Sequence, residues 1–142
     1  FRMAYTEMPV NEIPEVDLLY DNIEVGKSFG PGIISLDPIR VERYKAMFAI
    51  SKQFDTNITP PFLIAMLSFR LYTDQPKRLP GSIHVLHKSC YIRPVPVGSI
   101  LKVYGKFVNK WTYKDKKWLT SRIDSYVEDE LVYTAENTSI IP

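Results

Sequence analysis

The chain has 142 residues, 45% hydrophobic, 13% aromatic and 24% charged, which excludes a disordered or fibrous polymer and fits one globular domain with one core. Its 18 basic and 16 acidic residues leave a net charge of +2 with no basic tract, so charge supplies no footprint for nucleic acid or an anionic membrane. A single cysteine, Cys90, excludes an intrachain disulfide and C-x-x-C metal patterns, and the longest apolar run, Phe62 to Leu67, is far too short to span a bilayer.

Residues 1–18 carry Pro9, Pro14 and scattered acids, and read as an extended arm in front of a single domain. No signal-peptide pattern opens the chain, and Phe1-Arg2 ahead of Met3 reads either as an added remnant or as a cut from something longer. Phe29-Gly30-Pro31-Gly32 is expected to be a turn, followed by a short strand over Ile33-Ile34-Ser35-Leu36. Asp37-Pro38 then starts a helix. The aspartate caps free backbone N–H groups, and the proline sits where its missing donor costs nothing. Val41, Tyr44 and Phe48 recur at helical spacing, with Arg40, Glu42, Arg43 and Lys45 mostly elsewhere, so an amphipathic surface helix ending near Ser51 is expected.

Thr59-Pro60-Pro61 repeats the start signal. The stretch from Phe62 to Tyr72 that follows is apolar on nearly every face for two turns, and a helix apolar all round is buried all round. The rest of the chain supplies the cover. Leu101, Val103, Phe107 and Trp111 share one parity against Lys102, Tyr104, Lys106 and Lys110, which is a half-buried strand. Trp118 to Val127 and Leu131 to Ile141 read the same way, with turns at Gly98 and at the charged clusters around Asp115 and Asp129. Ser82 to Arg93 alternates poorly, which points to a bulge or strong twist. A surface helix, a buried helix and a meander of about four strands make an α+β domain, an antiparallel sheet curved around one central helix.

With those residues in view, the tract from Val85 to Ser99, Val-Leu-His-Lys-Ser-Cys-Tyr-Ile-Arg-Pro-Val-Pro-Val-Gly-Ser, resembles the MaoC-like dehydratases, and their N-terminal half-domains in particular. Asp21 to Phe29 is similar to the family's opening phrase, and Thr59-Pro60-Pro61-Phe62-Leu63 to the start of its central helix. The resemblance runs from about residue 18 to the end and implies the hot-dog fold. It also implies hydration of enoyl thioesters or dehydration of 3-hydroxyacyl thioesters. The thioester of CoA or of acyl carrier protein is then the substrate, with no cofactor and no metal. A homodimer, or a heterodimer with a second hot-dog chain, is implied as the partner arrangement, in the cytoplasm, without nucleic acid or membrane.

The chemistry requires a base or activated water near the reacting carbon and a donor to the thioester oxygen. The family's pattern is Asp-x-Asn with His as the fifth residue after the Asp. Here Asp55 and Asn57 stand in the first two positions, and Pro60 stands where the histidine belongs. Proline has no ionisable group, and Pro60-Pro61 also remove two N–H donors from the helix terminus that would meet an oxyanion. The resemblance therefore points to the family's catalytically incomplete half, which binds the acyl group while a partner supplies Asp and His. On that reading Thr59, Phe62, His87 and Arg93 are substrate-binding candidates, Arg93 through a CoA phosphate. Each has an ordinary alternative: Asp55 and Asn57 as turn residues, His87 as a structural histidine, Arg93 as half of an ion pair. His84 and His87, three apart on a regular strand, are expected on opposite sides.

Three functions follow in order: a hydratase or dehydratase subunit acting with another hot-dog chain, a non-enzymatic thioester-binding or scaffold module, and a hot-dog thioesterase using a carboxylate such as Asp55 to activate water.

Overall fold

The structure, a computed structural model, describes residues 5–6, 16–17, 19–48, 57–74, 76–77 and 81–142. In chain order these form β1 (Tyr5–Thr6), β2 (Val16–Asp17), β3 (Ser28–Ser35), α1 (Pro38–Met47), α2 (Pro61–Asp74), β4 (Pro76–Lys77), β5 (Ile83–Tyr91), β6 (Ile100–Tyr113), β7 (Lys116–Val127) and β8 (Glu130–Ile141). Six strands make one sheet in the order β1-β3-β6-β7-β8-β5, while β2 and β4 pair in parallel beside it.

The last three strands are a true meander. Lys114-Asp115 and Glu128-Asp129 all lie at positive φ, the conformation a tight two-residue hairpin turn requires. β5 departs from the expected order. It does not neighbour β6 but crosses to the far edge and pairs with β8, Tyr91 opposite Tyr133 and His87 opposite Asn137. The crossing segment is pinned by backbone hydrogen bonds: Val97 N–H to the Asn57 carbonyl at 2.9 Å, Gly98 N–H to the Leu36 carbonyl at 2.7 Å, and Thr59 N–H to the Val95 carbonyl at 2.8 Å.

The sheet curves over α2. Leu63, Ile64, Leu67 and Leu71 of the helix join Leu101, Val103, Phe107, Leu119, Ile123 and Ala135 in one buried cluster, so the expected helix-in-sheet arrangement, the hot-dog fold, is present. Its burial is one-sided, however. Phe62 at the first turn is 62% exposed, and Ala65, Met66 and Phe69 along the same stripe are only half-buried. All nine residues of β5 are exposed as well.

Three local expectations are corrected. Phe29 to Gly32 is not a turn but an irregular part of β3, where the register to β6 shifts between Phe29 and Gly32. Gly30 sits at φ +99°, and a β-carbon there would lie 2.7 Å from the Val103 carbonyl oxygen, so only glycine lets the strand hug β6 at that point. A second register shift between Phe107 and Asn109 reverses the parity of β6. Trp111 therefore leaves the core face and stacks on Trp118 opposite, ring centroids 5.8 Å apart. On α1, Asp37 caps as expected, its Oδ1 accepting from Arg40 N–H at 2.9 Å, but the polar and apolar faces are not clean. Phe48 is exposed, whereas Arg40 and Lys45 are buried, Arg40 because its guanidinium donates back to the Ser35 carbonyl at 3.0 Å.

Candidate functional site

Of the described sequence candidates, Asn57, Thr59 and Phe62 fall at the N-terminal end of α2. Pro60 immediately precedes the helix and Pro61 opens it, so the first turn offers only the Phe62 and Leu63 N–H groups, and Leu63 N–H already donates to the Pro60 carbonyl at 3.0 Å. Thr59 is 1% exposed, and its hydroxyl Oγ1 has no hydrogen-bond partner among the described residues. Asn57 is exposed and gives its carbonyl to Val97. Asp55 lies outside the described residues. Thr59, Asn57 and the start of α2 are thus held together by the crossing segment, with Phe62 open beside them.

His87 and Arg93 do not join this group. Arg93 donates through Nη1 to Glu130 Oε2 at 2.7 Å, tying the crossing segment to the β7–β8 turn in an exposed pair. Arg93→Ala is expected to change stability by less than about 1 kcal/mol in a denaturant titration, the ordinary range for exposed pairs. His87 lies on β5 against the second half of α2, its ring 5.8 Å from that of Phe69.

The two histidines are neighbours, contrary to the regular-strand expectation. The register to β8 shifts between His84 and Leu86, leaving Val85 without a partner position. That extra residue turns His84 back to the helix side, where its ring lies 5.6 Å from His87 and 5.7 Å from Phe69. The adjacent apolar pair Val85-Leu86 was the signal for this bulge in the sequence. Among the described residues no cluster of three or more His, Cys, Asp or Glu stands where it could hold a metal ion.

From His87 a hydrogen-bonded chain runs inward: Nε2 to Ser89 Oγ at 2.8 Å, then Ser89 Oγ to the Tyr133 hydroxyl at 3.0 Å. Burial pushes the Tyr133 phenol above the ordinary tyrosine value of 10.0, with the Ser89 hydrogen bond acting in the opposite direction. The folded state therefore disfavours the phenolate. The stabilisation is whole below about pH 10 and is lost as pH rises through the folded value. Tyr133→Phe is expected to flatten the fall in melting temperature above about pH 10, checked by melts of both proteins across that range.

More polar groups line the same side of the sheet. Ser121, Ser125, Asn137 and Ser139 are buried in phase with Leu119 and Ile123, and Ser125 Oγ meets Ser68 Oγ of α2 at 2.7 Å. Sequence reasoning did not single out Ser89, Ser121, Tyr133 or Asn137. The available sign was polar residues at the inward parity of strands otherwise filled by Leu and Ile.

No protein-family model and no curated relative matches the chain. Solved structures do. The chain superimposes on the MaoC-like dehydratase from Rhodospirillum rubrum with TM-score 0.70 at 16% identity, covering 85% of this chain and 94% of that one. It superimposes on the (R)-hydratase from A. caviae involved in PHA biosynthesis with TM-score 0.66 at 21% identity, covering 84% and 98%. Against the HadBC (3R-hydroxyacyl-ACP dehydratase) complex from Mycobacterium tuberculosis the values are 0.67, 14%, 82% and 96%. At these identities the likeness establishes the shared hot-dog fold.

Proposed function

We propose that this chain is an acyl-thioester-binding subunit of the hydratase/dehydratase type, incomplete as a catalyst alone, that works beside a second hot-dog chain. The reading rests on one observation above others. The chain has two histidines, and both sit on β5 against Phe69, two turns along α2 from its N-terminus, where the sequence has Pro60 and Pro61 instead. A hydration step needs a proton carrier at the reacting carbon, and the described residues at the α2 N-terminus offer only neutral Thr59 and Asn57.

Pairing is supported by the surface the fold leaves open. Along α2 Phe62 is exposed and Ala65, Met66 and Phe69 are only half-buried, and beside them β5 is an edge strand exposing Ile83, Val85, Leu86 and Tyr91. A second hot-dog chain laid edge to edge on β5 covers both. The HadBC structure is itself a complex.

The test is hydration of crotonyl-CoA, followed by loss of enoyl absorbance. The purified chain alone is expected to show no turnover, and turnover is expected when a catalytically complete hot-dog partner is added. Turnover by the lone chain overturns the incomplete-subunit reading. Binding of acyl-CoA with no turnover in any combination supports the non-enzymatic binding or scaffold reading instead. Release of free CoA, lost in Asp55→Ala, would indicate a thioesterase.

A further inference from the structure

The helix-facing side of the sheet carries a polar row that an ordinary hydrophobic core does not need. Ser121 on β7 stands opposite Asn137 on β8, and Asn137 stands opposite His87 on β5, so the three cross the sheet from its interior to its open edge. Ser121 is 1% exposed and Asn137 3% exposed. Among the described residues the Ser121 hydroxyl has no hydrogen-bond partner, and neither does Asn137 Oδ1, while Asn137 Nδ2 donates to Ser139 Oγ at 3.3 Å. Buried polar groups are normally paired, because water is lost on burial and nothing replaces it. Two unmatched groups at facing positions, in a row that reaches the exposed His87 beside Phe69, mark a place meant to be completed from outside.

We infer that this row binds a hydroxyl group carried on the remote part of the acyl chain. The inference rests on the thioester reading above and adds the class of acyl group. Asn137 presents an acceptor or a donor and Ser121 presents both, and a hydroxyl answers both at once. Phe69 is eight residues along α2 from Pro61, about 12 Å at the helical rise, so a thioester held near the α2 N-terminus places the far end of a medium-length chain at the row. The hydroxyl selected is thus a distal one, separate from the position where hydration or dehydration takes place. A plain alkyl end brought here leaves the same polar atoms without partners, so it lacks the hydrogen bonds that a hydroxyl gains.

The experiment is calorimetric titration of the full chain with decanoyl-CoA and with its ω-hydroxy counterpart. The hydroxylated ester is expected to bind about tenfold more tightly, the scale of discrimination a site with unmet hydrogen bonds produces. Asn137→Leu is expected to abolish or reverse that preference. Ser121→Ala reports on the same row if the leucine variant does not fold. Equal or tighter binding of decanoyl-CoA, as when trapped water already completes the row, overturns the inference, as does a preference that survives in both variants. If neither ester binds, the thioester reading itself fails and this one goes with it, whereas plain and hydroxylated esters bound alike leave that reading standing.

Discussion

Leu67→Ala is expected to lower the unfolding free energy by about 3–5 kcal/mol, read as a displaced midpoint in a urea titration at unchanged slope. Leu67 is fully buried near the middle of α2, in the same cluster as Leu63, Leu71 and the inner residues of β6, β7 and β8. Truncation removes apolar contact and leaves a void lined by strands whose hydrogen-bonded ladders limit collapse onto it. For a chain of this size the loss corresponds to roughly 10–20 °C in melting temperature. The control is Phe62→Ala. Phe62 lies on the same helix but is mostly exposed in this chain, so it is expected to cost under about 1 kcal/mol in the isolated monomer. Equal losses at both positions would mean that α2 is not enclosed on one side as described.

Val85→Lys combined with Leu86→Lys is expected to weaken self-association by at least about a hundredfold, near 3 kcal/mol, with little change in monomer folding. Both residues are exposed on β5, an edge strand of the sheet among the described residues, and Val85 is the bulged residue with no partner position on β8. In a two-fold pairing across this edge each lysine approaches its own copy, so four like charges gather where apolar groups met. Light scattering checks the result: the unaltered chain is expected near twice its 16.4 kDa mass and the double variant near the single mass. An unaltered chain that stays monomeric at high concentration rules out self-pairing and leaves the β5 edge to a different hot-dog chain. A double variant that still dimerises places the interface elsewhere.

Some of this protein was written locally in its residues. Asp37-Pro38 starts α1 because a capping carboxylate and a donor-free N1 position act within one turn. The apolar run behind Pro60-Pro61 declares a covered helix because no single face of it is polar. The charged pairs Lys114-Asp115 and Glu128-Asp129 mark hairpin turns because alternation stops and restarts around them. The absence of an imidazole near that helix start was equally plain, since the chain has only two histidines and both lie further on.

What the chain does with those pieces was decided in three dimensions. Alternation with period two assigns faces only while the register is unbroken, and the shifts at Phe29–Gly32, His84–Leu86 and Phe107–Asn109 each move every later side chain to the other face. Those shifts carry Trp111 off the core face and bring His84 beside His87. Their positions depend on which strand lies alongside, and β5 lies beside β8, a strand some fifty residues further on, through a crossing that no local pattern encodes. The β7–β8 hairpin sets Ser121 opposite Asn137, and the long-range β5–β8 pairing extends that row to His87. Local chemistry therefore sets the elements, while strand order and register set which side chains meet.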